Sequence, residues 1–80
     1  MFHLGLMFRR TGHFDEARDM FTRVMEQLPN DKTVYIERGL VYQDKGNNQK
    51  AIEDFERAIQ LDEECIKAYF HNGTSKLRDG

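Results

Sequence analysis

Cys65 is the chain's one cysteine, and His71 is the histidine nearest to it in sequence. A thiol beside an imidazole is what nucleophilic catalysis would need. Six positions apart, the two lie about 240° round a helix from one another and face different ways. Asp62, Glu63 and Glu64 precede the cysteine and oppose thiolate formation, so a structural or surface cysteine is the reading left. His3, His13 and His71 share no metal-ligand spacing, and the sequence has no CxxC or HxxxH. Gly12, Gly46 and Gly80 stand singly at expected helix ends, which makes no phosphate-cradling loop. The acidic run at 62–64 suits the start of a helix, where carboxylates complement the dipole. These residues imply no catalytic site, no cofactor and no metal.

Composition narrows the remaining classes. Eighty residues make one domain at most. With 39% apolar and 32% charged residues, the chain is too apolar for disorder and too charged for a membrane span. Gly5, Arg9 and Arg10 interrupt any signal-peptide core. A single cysteine forms no internal disulfide, which fits an intracellular, cytoplasmic protein. The net charge is −2, and the basic residues are scattered among acidic ones with no basic stripe. Phosphate-backbone binding needs such a stripe, so no nucleic-acid partner is expected.

The elements that must carry any site follow from an internal period. Thirty-four positions separate Gly5 from Gly39 and Gly39 from Gly73, and the same step links Gly12, Gly46 and Gly80. It also links Ala17 to Ala51, Phe21 to Phe55, Arg23 to Arg57 and Tyr35 to Tyr69. Such periodicity marks a repeat architecture. Five helices and no strands are expected: Met1 to about Thr11, Phe14 to Gln27, Asp31 to Lys45, Asn48 to Gln60 and Glu64 to Arg78. Met1, Leu4, Gly5 and Phe8 share a stripe on the first. Ala17, Phe21, Val24 and Met25 face inward on the second, and Ala51, Ile52, Phe55, Ala58 and Ile59 on the fourth. Tyr35, Gly39 and Tyr42 form the core stripe of the third, with Tyr69 and Gly73 on the fifth. Gly12 and Gly46 suit helix C-termini, Asn30 or Asp31 and Asn47 suit N-caps, and Asp19–Arg23 and Glu53–Arg57 are spaced as i, i+4 ion pairs. Glycine inside a helix costs about 1 kcal/mol against alanine, so Gly5, Gly39 and Gly73 imply close approach of a neighbouring helix.

A period of 34, two helices per unit, and the order aromatic, Gly, aromatic, Gly, Ala, Phe, Ala together resemble the tetratricopeptide repeat. Tyr35, Gly39, Tyr42, Gly46, Ala51, Phe55 and Ala58 carry the pattern in the complete unit. Departures are Arg38 before the glycine, Glu63 for the closing proline and Lys76 for the second aromatic. The resemblance implies an all-α, right-handed solenoid of antiparallel helix hairpins spanning 1–80. Residues 1–31 would be a partial repeat, 32–65 a complete one and 66–80 the first helix of a further one. Without polar capping helices, the chain is expected to be an excised piece of a longer array, in which Met1 need not be the natural start.

The resemblance also implies a role: a non-catalytic protein–protein interaction scaffold that binds a partner peptide or helix in a concave groove. Phe2, Ile36 and Phe70 form one row on the first helices, and Leu6, Leu40 and Thr74 a second. His3, Glu37 and His71 run beside them, with Lys67 at the edge. Phe2, Leu6, Ile36, Glu37, Leu40, Lys67, Phe70 and His71 are therefore the candidate groove, suited to a partner presenting an apolar ridge. An equally open reading is that some of them only pack one first helix against the next. Some proteins of this family hold the C-terminal carboxylate of heat-shock chaperones with lysine, asparagine and arginine. Here those places hold Phe2, Leu6, Glu37, Lys67 and His71. Only Lys67 is of the required type and Glu37 would repel a carboxylate, which weighs against such a ligand. The alternatives are a structural segment that self-associates end to end, or a regulatory piece of a larger enzyme complex.

Overall fold

A computed structural model describes residues 2–79, which form five α-helices and, among those residues, no strand. They are α1 (Phe2–Arg10), α2 (Phe14–Gln27), α3 (Lys32–Asp44), α4 (Asn48–Leu61) and α5 (Ile66–Asp79). Met1 in the first stripe and Gly80 in the repeat register lie outside the described residues.

The turn inside each hairpin is the same structure used twice. Gly12 and Gly46 have φ of +83° and +86°. That left-handed backbone is open to glycine and strained for residues with a Cβ. It lets His13 N–H donate to Phe8 O, and Asn47 N–H to Tyr42 O, each at 2.8 Å. These are the six-to-one bonds that close a helix C-terminus. Asp31 caps α3 by accepting from Thr33 N–H at 3.0 Å, and Asn47 caps α4 by accepting from Lys50 N–H at 3.3 Å. At α2, His13 occupies the cap position without a side-chain hydrogen bond.

Two core clusters follow from the glycines. A Cβ on Gly5 would lie 2.7 Å from the Phe21 ring, and one on Gly39 would lie 2.6 Å from the Phe55 ring. Both phenylalanines are fully buried, so the missing methyl group is the space each ring fills. Ala17, Phe21, Val24, Met25, Val34 and Val41 form the first cluster. Ile36, Leu40, Ala51, Phe55, Ala58 and Ala68 form the second. α3 contributes to both and is therefore apolar on more than one side. Its Tyr35 and Tyr42 are only half-buried, while Val34 and Val41, off the expected stripe, are buried.

Three sequence expectations are corrected. On α5 the buried residues are Ala68, Asn72 and Ser75, whereas Tyr69 is half exposed and nothing lies within 4 Å of a Cβ built on Gly73. Gly5 and Gly39 each meet the phenylalanine 16 positions on, and the place 16 beyond Gly73 exceeds the chain's 80 residues. Leu4, on the first stripe, is also exposed. Neither i, i+4 ion pair forms among the described residues. Asp19 is held by Arg18 at 3.2 Å, and Arg57 donates to Gln60 Oε1 at 3.2 Å with its guanidinium over the Tyr35 ring.

Arg38, which departs from the apolar residue the repeat pattern calls for, has a structural role. Its guanidinium donates to both Asp54 oxygens at 2.8 and 2.7 Å and to Thr22 Oγ1 at 3.2 Å. One side chain on α3 thereby ties α4 and α2 together.

Consecutive helices pack on each other, and α1 also touches α3, as α3 touches α5. Among the described residues α2 and α4 share no Cα pair within 8 Å. The first helices of the units therefore form a closer, inner row. The whole measures 28 × 25 × 16 Å.

Candidate functional site

The eight groove candidates lie on α1, α3 and α5, the helices of the inner row, at unequal depth. Ile36 and Leu40 are 4% and 6% exposed and pack in the second cluster with Phe55 and Ala68. For these two residues, burial favours the packing reading. Phe2 and Leu6 are half-buried against the first cluster, with the Phe2 ring 5.6 Å from that of Phe21. Phe70 remains 68% exposed. His71 stacks on Phe55 with ring centres 5.7 Å apart and meets the edge of Phe70 at 5.3 Å.

Two ion pairs join the inner-row helices. Glu37 is buried, and Lys67 reaches it from α5 at 3.7 Å. Arg9 on α1 donates to Asp44 on α3 at 3.0 Å. Burial first, then the charges of Lys67 and Arg9, hold the His71 imidazole below its ordinary value, against an opposing pull from Glu37. At the inner row, basic groups of α1 and α5 each meet an acid of α3.

Asp44 and Gln43 of α3 also have partners on the neighbouring first helices, which the pattern of a single helix does not reveal. Gln43 donates to Ser75 Oγ at 3.0 Å, buried between α3 and α5. The missed pairs have a sequence signal, because each joins residues close to one 34-residue step apart. Arg9–Asp44 is 35 apart, Gln43–Ser75 is 32 and Glu37–Lys67 is 30.

The remaining chemistry is sparse. Cys65 is half-buried against the second cluster and His71 is stacked on Phe55. No group of three or more metal-ligating side chains occurs among the described residues. A crevice of about 100 Å³ is lined by Arg38, Tyr42, Lys50, Glu53 and Asp54. Burial pushes the Asp54 carboxyl up while Arg38 pulls it down, and both its oxygens already accept from that guanidinium. A carboxylate so occupied is not a free base. No described helix is long and apolar enough to cross a membrane.

Two tetratricopeptide repeat family models match the chain, one over residues 1–31 and the other over 33–65. It is similar to human Tetratricopeptide repeat protein 12, 35% identical over 66 residues, covering 82% of this chain and 9% of that protein. It is also similar to the Peroxisomal targeting signal receptor of Saccharomyces cerevisiae, 27% identical over 96% of this chain and 13% of the receptor. The rat Mitochondrial import receptor subunit TOM70 is 31% identical over 84% of this chain and 11% of that subunit. The chain thus spans about a tenth of the length of these relatives. Among solved structures, it resembles the first TPR of Spaghetti (RPAP3) bound to the HSP90 peptide SRMEEVD. The TM-score is 0.93 at 25% identity, over 96% of this chain and 61% of that one.

Proposed function

The chain belongs to the tetratricopeptide repeat family, and from that premise we propose that it is a non-catalytic protein–protein interaction scaffold. Its partner is a peptide or helix with an apolar ridge, held against the inner row of α1, α3 and α5. The observation that carries this reading is Phe70, a large aromatic left 68% exposed with the half-buried His71 ring at its edge. Exposed aromatics of this kind are frequent anchors in recognition. Ile36 and Leu40 serve this surface from beneath, by fixing α3 against α4 and α5.

Relatives named as import receptors, and a similar fold holding a peptide, support a peptide ligand. That the neighbouring structure holds an HSP90 peptide gives no support to excluding chaperone tails here. The exclusion rests on this chain's own charges, with Glu37 buried at the inner row. We take the working units as 1–31, 32–65 and 66–80, in a cytoplasmic setting. The test is quantitative affinity capture with the wild-type chain and with Leu6→Ser/Phe70→Ser, neither side chain being fully buried. Loss of a captured protein by at least tenfold, with helical circular dichroism unchanged, is expected. Equal capture would sink the reading.

A further inference from the structure

We propose that Glu37 sets the charge preference of the inner-row surface by engaging Lys67 and standing as a fixed negative charge, so that acidic peptide termini are refused. The inference rests on the groove reading and deepens it.

Glu37 is 8% exposed on α3, whereas Lys67 is 57% exposed on α5 and reaches it at 3.7 Å. The two members are therefore unequal. The lysine is free to swing into solvent, but the carboxylate cannot leave. An incoming acidic group finds Lys67 already facing a carboxylate, and meets that carboxylate itself if the lysine turns away. Juxtaposed like charges at an interface are costly, and more so where water is displaced. Arg9 on α1 is likewise held by Asp44 on α3, at 3.0 Å. His71 adds no positive charge near neutral pH, since burial and the charges of Lys67 and Arg9 hold its imidazole low. Among the eight groove candidates Lys67 is the one lysine or arginine, and it faces Glu37. The ligand that fits is apolar, without acids where it crosses Glu37. The similar fold that holds SRMEEVD makes that acidic peptide the natural probe.

Glu37→Gln keeps the shape of the buried side chain, removes its charge and releases Lys67. Fluorescence anisotropy with labelled SRMEEVD at low salt should show at least tenfold tighter binding to Glu37→Gln than to wild type. The gain should shrink as salt is added, and should vanish in Glu37→Gln/Lys67→Met. Lys67→Met alone should leave wild-type binding of this peptide unchanged. Equal binding by wild type and Glu37→Gln, or a gain that survives loss of Lys67, overturns the proposal. So does a wild-type affinity that Lys67→Met weakens, because Lys67 would then already be available. Should Glu37→Gln lose helical circular dichroism, the Lys67→Met comparison in the wild-type background decides. The groove reading fails by a different sign, namely partner capture indifferent to Leu6→Ser/Phe70→Ser. The role of Glu37 can therefore be lost while the groove stands.

Discussion

A methyl group at Gly39 and a methyl group at Gly73 should have opposite effects. At Gly39 the added carbon meets the Phe55 ring at 2.6 Å. Phe55 is fully buried, so the ring has little room to yield. Overpacking costs about 1–3 kcal/mol, which outweighs or offsets the roughly 1 kcal/mol that alanine contributes to a helix interior. At Gly73 nothing lies within 4 Å and only the propensity gain remains. Thermal melts of Gly39→Ala and Gly73→Ala should therefore move down and up respectively. A shift of about 4–8 °C per kcal/mol is expected for a domain of this size. A higher melting temperature for Gly39→Ala would show that the ring moves freely. His71 gives a second residue-scale test. Its pKa in the fold is held below the ordinary 6.5, mainly by burial. In the window below 6.5 the unfolded chain binds a proton that the folded chain sheds, so stability rises with pH there. The contribution is complete above 6.5 and is lost as pH falls toward the lowered value. His71→Gln should flatten the fall in melting temperature between about pH 7 and pH 5.5. An unchanged slope would place its source elsewhere.

Between elements, the Arg38–Asp54 pair couples α3 to α4, and Thr22 extends the tie to α2. The side chain of Asp54 is 6% exposed and that of Arg38 is 21% exposed. Removing the arginine leaves a buried carboxylate without its partner, so Arg38→Leu should cost on the order of 3 kcal/mol. Arg38→Leu/Asp54→Leu should recover much of that loss, and chemical denaturation of the cycle reads the coupling. Strict additivity would mean the pair does not act as a unit. This tie also shows where sequence reading stops. The repeat step made Gly39 and Phe55 legible, because both the small and the large residue recur in register. Arg38 stood out only as a departure, since its acid lies 16 residues away on another helix. Ile36 and Leu40 were legible as a row but not as to depth. Their burial depends on α5 closing over α3, which a one-helix stripe cannot express. Gly73 misled for the opposite reason: the motif is present at α5 but no phenylalanine meets it.

At the scale of the molecule, the inner row joins three helices that are far apart in sequence, and the Arg9–Asp44 and Glu37–Lys67 pairs cross between them. The surface proposed for a partner is the apolar and aromatic one around Phe70. Acid pairs at the loops hold this frame: a hydrogen bond from Lys45 keeps the Asp15 carboxyl below its ordinary value, and one from Lys32 does so for Asp62. Their contribution is present above about pH 3.8 and is lost as pH falls through the lowered values, well below the His71 window. The central claim is that partners are read by the inner row and not by the outer face of α4. Photo-crosslinking tests it most directly, with a benzoylphenylalanine replacing Phe70 in one variant and the exposed Glu53 in another. The account predicts a partner adduct from position 70 and none from position 53. An adduct from position 53 alone would contradict it.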